Sequence, residues 1–345
     1  MKLIDLHCDT MLRIYDSKGK EGLRRNSLCI DEEKLLRADS AAQFFAMYVD
    51  TEVYESPFRI CNEMIEGFKN EVERCGSLEL AYSYEDLLKN EADGKISAFI
   101  AVEEGGVLEG TMGKFYSLYD RGVRAITLTW NYPNEIGFPN RGWIHQNKGL
   151  TPFGRDLVGE MERLGVIPDV SHLSDGGFYD LVKLCKKPFV ATHSNCRALC
   201  DHPRNLSDEM IRLMAEKGGI SGLNYESFFL KKQSARGEAL FDGLAISEEL
   251  GQESMAEELR RETKLAALED IVRHALHMVK VGGEEFPAIG GDLDGTHSPA
   301  GLKDIGEMEK LTEALHRGGL GWSTIEKILH KNARRVLQET LKKRG

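Results

Sequence analysis

Short runs of apolar and β-branched residues recur along the chain, and the segments between them return apolar side chains every three or four positions. The runs fall at 3–4, 43–49, 96–102, 124–129, 166–167, 189–192, 219–223 and 288–289. Most lack polar alternation, as strands buried on both faces do. Helical periodicity fills 59–74, 112–121, 153–164, 178–185 and 208–217. Ser207 ahead of Asp208 and Glu209 reads as a helix start, as does Ser174 with Asp175 ahead of Phe178. Alternating strands and helices predict an α/β fold with a parallel sheet covered on both faces. Eight such units predict closure into a (β/α)8 TIM barrel, with an open doubly wound sheet as the alternative. The charged, helical stretch at about 228–261 reads as an excursion between the last two strands, within one domain covering 1–345.

A barrel places its chemistry just past the C-terminal ends of its strands, so those positions come first. His7 and Asp9 follow the first strand, Glu103 and Glu104 the third, Asp169 and His172 the fifth, His193 the sixth, and Asp292 and Asp294 the eighth. Loops converging on one face would pool these imidazoles and carboxylates, and divalent metal is the simplest counter-charge. With no thiolate pair in the set, zinc suits it, with manganese, cobalt or iron as alternatives. A carboxylate could bridge two ions and leave a shared water as nucleophile. His274 and His277, three apart on a helical stretch, lack the strand-end setting and are expected on a solvated face.

Charge narrows the partner. With 45 Lys and Arg against 56 Asp and Glu, the net charge is -11, and the pI is near 5.5. That balance argues against nucleic acid or an anionic membrane and for a small molecule. No apolar window approaches the roughly 18 residues of a spanning helix, and the N-terminus does not read as a secretory signal, so a cytoplasmic location is expected. Seven scattered cysteines fit reduced thiols. Cys196 and Cys200 with His193 and His202 lack the second Cys pair of a zinc module.

In order and spacing, several pieces together resemble the renal (membrane) dipeptidase family, peptidase M19 of the amidohydrolase superfamily. They are Asp5-Leu-His7-Cys-Asp9, Val102-Glu-Glu-Gly-Gly106, Leu128-Thr-Trp-Asn131, Gly149-Leu-Thr-Pro-Phe-Gly154, Asp169-Val-Ser-His172, Thr192-His-Ser194, Arg204-Asn205 and Gly290-Gly-Asp-Leu-Asp-Gly295. The resemblance covers essentially the whole chain. It implies two zinc ions, one on His7 and Asp9, the other on His172 and His193, with a bridging glutamate. The family carries one Glu before two Gly; spacing to Leu128-Thr129 and to Lys95-Ile96 makes that residue Glu103, with Glu104 pointing away. Asp292 is implied as the acid/base residue that moves a proton from the bridging water to the departing amine. Arg204 is implied as the grip on the substrate's terminal carboxylate.

One position departs from the pattern. Where some members, the mammalian ones included, have a His that polarises the scissile carbonyl, this chain has Trp130. A zinc, Asn131 or His145 is then expected to stabilise the oxyanion. The implied activity is that of a zinc-dependent dipeptidase, a hydrolase in which metal-bound hydroxide attacks dipeptides with a free C-terminal carboxylate, L,D-dipeptides among them. Two alternatives stand beside it: another amide or N-acyl-amino-acid hydrolase on the same binuclear centre, and a metal-binding barrel that has lost catalysis. The expected partner is a small dipeptide, with no nucleic acid and no membrane; the oligomeric state, a homodimer included, is open.

Overall fold

Among the described residues nine strands form, every pair of them parallel: β1 (Leu3–Asp5), β2 (Ser40–Tyr48), β3 (Leu78–Leu80), β4 (Ile96–Glu103), β5 (Val123–Thr127), β6 (Ile167–Asp169), β7 (Val190–Ala191), β8 (Ile220–Leu223) and β9 (Pro287–Ile289). The structure, a computed structural model, describes residues 1–247, 253–296 and 300–342. All strands but β3 close a ring, with β2 pairing both β1 and β4 and with β9 returning to β1. This is a TIM barrel of eight parallel strands surrounded by helices, as the alternating pattern predicts. The open-sheet alternative is set aside by the β2–β4 pairing, which runs from Ala42↔Ser97 to Tyr48↔Glu103.

The apolar pattern does not predict β3. It lies along the first half of β4, from Leu78↔Ile96 to Leu80↔Ala98, and β5 takes over the same edge from Ile100. Three residues with a polar centre leave no apolar run to detect.

Alternation along the strands separates two apolar layers. On β4, Ala98, Ile100 and Val102 pack outward under the helices, whereas Phe99 and Ala101 face the barrel interior. There Phe99 stacks on Phe44 of β2 at 4.7 Å, among Ile4, Ala125, Ile167, Val190, Ile220 and Ala288. The C-terminal helix Asn332–Thr340 seals this interior from below, with Ala333, Val336 and Leu337 in the same cluster. Its Asn332 side chain donates to the carbonyls of Glu284 and Pro287, and Arg335 donates to Gly218, all at strand N-terminal ends. The other end of the barrel is left for chemistry.

The outer helices start where the sequence places their caps. Ser174 Oγ accepts from the Gly177 amide at 3.2 Å, and Ser207 Oγ from that of Met210 at 3.2 Å. The excursion between β8 and β9 comprises Ser227–Leu230, Ala235–Ser247 and Glu253–Glu262, with positions 248–252 outside the described residues. Phe228, Phe229 and Leu259 form a small apolar cluster of its own there.

His274 and His277 correct the expectation of a solvated face. Helix Leu268–Gly282 packs on Asp208–Glu216, which buries His274 at 1% exposure. Its Nδ1 accepts from the Cys196 amide at 3.0 Å, so Nε2 carries the proton toward the Leu230 carbonyl at 3.1 Å. His277 pairs with Asp208 at 2.7 Å. All seven cysteines are free thiols; the Cys196 thiol turns toward the His274 carbonyl and that of Cys200 toward Phe228, away from His193. Among the described residues no helix is long and apolar enough to cross a membrane.

Candidate metal centre and active site

The inward register of β4 carries Phe99 and Ala101 and then brings the Glu103 carboxylate into the mouth of the barrel. Its two oxygens face different partners: Oε2 lies 3.2 Å from His7 Nε2, and Oε1 lies 3.1 Å from His172 Nε2 and 3.7 Å from His193 Nε2. Asp9 Oδ2 is 3.5 Å and Asp292 Oδ1 3.9 Å from His7 Nε2. The two imidazoles of His172 and His193 meet at 3.1 Å through Nε2. All these side chains are buried or nearly so.

The cluster is electrostatically divided against itself. Burial opposes a charged His7, but the Glu103 and Asp9 carboxylates outweigh it and hold the imidazolium well above its ordinary range. Burial also opposes the Glu103 carboxylate, yet His7 and His172 hold it below the usual carboxylate values. Burial and the Arg204 charge pull His172 down to about 4, and burial with His7 drives His193 well below 6.5. Burial, reinforced by Asp9 and Glu103, pushes Asp292 well above 3.8. His172 and His193, neutral imidazoles facing the ionised Glu103 carboxylate, have the state of metal ligands rather than of salt-bridge partners.

Three further observations fit divalent cations here. His7 Nε2 and Asp9 Oδ1 are buried without an aligned hydrogen-bond partner, a cost that a ligand removes. A Cβ on Gly295 would collide with Asp9 Oδ2 and Asp292 Oδ1, so glycine keeps the space between those carboxylates clear. The neighbouring Cys8 thiol donates to the Phe44 carbonyl at 3.4 Å, and burial raises its pKa well above 9.0. The set is therefore one of nitrogen and oxygen, suited to zinc and its neighbours.

Around this centre lies support that spacing does not reveal. Asp169, one of the strand-end carboxylates, does not enter the cluster: it accepts from Thr127 Oγ1 at 2.7 Å, Thr192 Oγ1 at 2.6 Å and the Ser171 and Thr192 amides at 2.9 Å. Thr192 Oγ1 in turn meets His193 Nδ1 at 2.8 Å, fixing which nitrogen faces Glu103. Asp294 is likewise withdrawn, accepting from Thr10 Oγ1 at 2.5 Å and the Cys29 amide at 2.8 Å. Asn224 Nδ2 donates to Asp292 Oδ2 at 2.9 Å and leaves Oδ1 turned to His7. His172 and Asp292 both sit in the left-handed region, at φ 70° and 56°. Such strain gathers where the surrounding structure dictates a side chain's aim.

The centre opens into a cavity of about 580 Å³. Arg204 lines it, 5% exposed, with Nη2 donating to the His193 carbonyl at 3.3 Å and its guanidinium over the Phe229 ring at 5.3 Å. Among the described residues no carboxylate stands within ion-pair distance of it. Trp130 and Asn131 also line the cavity; Trp130 packs edge-on to Tyr48 at 4.8 Å and to Tyr132 at 5.8 Å. His145 does not line it. Its ring lies 5.3 Å from that of Phe138.

Fold and donor set together define a barrel hydrolase that works through metal ions. The sequence profile of "Membrane dipeptidase (Peptidase family M19)" matches residues 1–344, and the chain belongs to that family of metallo-dipeptidases. It is 31% identical over 269 residues to an uncharacterised protein of the pqqA 5′ region of Klebsiella pneumoniae, covering 76% of this chain and 89% of that one. It is 27% identical over 304 residues to Dipeptidase 3 of Rattus norvegicus, covering 86% of this chain but 56% of the rat protein. A crystal structure of a Rhodobacter sphaeroides metallopeptidase, liganded with a phosphinate mimic of the dipeptide L-Ala-D-Ala, superposes with TM-score 0.84 at 23% identity, covering 99% of both chains.

Proposed function

We propose that the protein is a zinc-dependent dipeptidase that hydrolyses dipeptides with a free C-terminal carboxylate, L,D-dipeptides among them. The observation that carries the reading is the buried Arg204 guanidinium, which faces the cavity beside the Glu103 cluster with no protein carboxylate among the described residues to pair it. A planar guanidinium in that state is a receptor for a carboxylate brought by the ligand. The phosphinate mimic of L-Ala-D-Ala held by the Rhodobacter relative supports the stereochemical extension.

His7 and Asp9 would hold one ion and His172 and His193 the other, with Glu103 giving one oxygen to each side. When bound, the ions polarise the scissile carbonyl and make water a nucleophile near neutral pH. This chain's residues do the rest. Arg204 fixes the carboxylate end of the substrate, so that the scissile carbonyl presents to the cluster. Asp292 Oδ1 takes a proton from the attacking water; the C–O bond forms, the C–N bond breaks, and Asp292 returns the proton to the leaving amine. Trp130, where some family members have a His, lines the cavity beside Asn131, and charge stabilisation would fall to the ions and Asn131.

The test is hydrolysis of a panel of L,L- and L,D-dipeptides, each with its C-terminal amide, by zinc-loaded and chelated protein. Metal-dependent cleavage favouring the free acids is expected. Bound zinc with no cleavage across the panel, or equal rates on acids and amides, would overturn the reading.

A further inference from the structure

We propose that His202 is a second substrate-binding residue, whose Nε2–H donates to the terminal carboxylate beside the Arg204 guanidinium. The inference rests on the dipeptidase reading with its free-carboxylate requirement, and goes beyond it by naming a donor that neither strand-end spacing nor family resemblance assigns.

The tautomer is set by the chain. The backbone N–H of Arg204 donates to His202 Nδ1 at 3.2 Å, so Nδ1 is an acceptor and the single proton of a neutral ring sits on Nε2. Neutrality is equally fixed: burial, then the positive charges of Arg204 and Arg197, hold the imidazole down to about 3. Arg204 and Arg197 are the two charges that act on it most, and both are cationic. The ring lines the cavity, and Nε2 meets no protein acceptor among the described residues.

Phe229 makes the two donors converge. The His202 ring lies 4.8 Å from the Phe229 centroid, and the Arg204 guanidinium lies 5.3 Å from the same centroid. Phe229 is itself 7% exposed and held by Phe241 edge-on at 5.8 Å, so the platform is packed before any ligand arrives. Pro203 between the two donors restricts the turn that carries them. Arg204 supplies charge and His202 a neutral, directional donor. A carboxylate has lone pairs for both, whereas the neutral C-terminal amide of a substrate analogue accepts through only one oxygen and repels one donor with its own N–H.

His202→Phe keeps an aromatic ring on Phe229 and removes the donor; His202→Gln restores an N–H. Steady-state kinetics on a cleaved dipeptide, with its C-terminal amide as substrate or competitive inhibitor, reads the effect. In His202→Phe, KM for the free acid should rise about tenfold to a hundredfold, the scale of one hydrogen bond to a charged acceptor, with kcat within about twofold. Binding of the amide should change little, and His202→Gln should recover most of the loss. Equal weakening of acid and amide, or a fall in kcat with KM unchanged, would overturn the proposal. Failure of the wild-type enzyme to discriminate acid from amide would instead remove the carboxylate reading on which it rests.

Discussion

Glu103 and Glu104 are neighbours in the chain and face opposite ways. Glu103 reaches the imidazoles of His7 and His172, while Glu104 turns to the backbone and accepts from the Gly106 and Trp130 amides at 2.6 Å and from Asn134 Nδ2 at 2.5 Å. Glu103→Gln should therefore cost the protein its metal, lowering affinity by at least about a hundredfold. Glu104→Gln should keep the metal and lower stability by about 1–3 kcal/mol, because a buried acceptor of three N–H groups is weakened. Metal content per chain and thermal unfolding separate the two, and the reverse ranking of metal loss would exchange their roles.

Asp292 is the one side chain that carries the proton in the proposed mechanism. Asp292→Asn should lower kcat by about 10² to 10⁴ with metal content unchanged. Activity retained at the wild-type level would take the residue out of the proton transfer.

In the proposed mechanism Asn224 would act through Asp292, as a positioning residue whose Nδ2 donates to Asp292 Oδ2 at 2.9 Å. Asn224→Ala should reduce kcat by about tenfold and move the pH–rate profile, with KM nearly constant, since an unheld carboxylate loses both aim and pKa. A change in KM alone would assign Asn224 to substrate binding instead.

Thr192 joins the buried Asp169 carboxylate to His193. Thr192→Val, similar in shape, should weaken metal affinity by about tenfold to a hundredfold. Titration of the apoprotein with zinc against a competing chelator gives the number, and an unchanged constant would show that the His193 ring is oriented by packing alone.

The buried His274 predicts acid sensitivity with a definite sign. Burial lowers its pKa from 6.5 to about 4. As pH falls below about 6.5, the unfolded chain takes up a proton that the folded one refuses until near 4. Folding stability is lost through that window, by roughly 3 kcal/mol at most. In His274→Gln the fall between pH 7 and 4.5 should shrink by about that amount in denaturant titrations. An equal fall in both proteins would place the acid sensitivity elsewhere.

What the sequence discloses follows from covalent order. The barrel strands announce themselves through continuous apolar runs, and the strand-end rule collects His7, Asp9, Glu103, His172, His193 and Asp292 from chain order alone. What it withholds depends on which partner each polar group meets. Asp169 and Asp294 have the same chemistry as Asp292 and stand at strand ends too, but hydroxyls and amides from distant loops consume them. Asn224 and His202 carry no spacing signal, because an amide or a neutral imidazole acquires a role only from the group it faces across the cavity. His274 misleads because periodicity identifies the stripe of a helix and not the neighbour that covers it. β3 is invisible because three residues hold no period.

The seam where β9 meets β1 joins strands almost three hundred residues apart in sequence. Past Asp5↔Ile289 it continues through Cys8↔Leu293, and the Asp292 amide donates to the His7 carbonyl at 3.2 Å. The residues that flank this last zipper are His7, Asp9 and Asp292 themselves. Such a pairing forms late, since loop-closure entropy must be overcome first. Catalytic competence is thus a reporter of ring closure: during refolding, enzyme activity should return after helical circular dichroism and together with metal uptake.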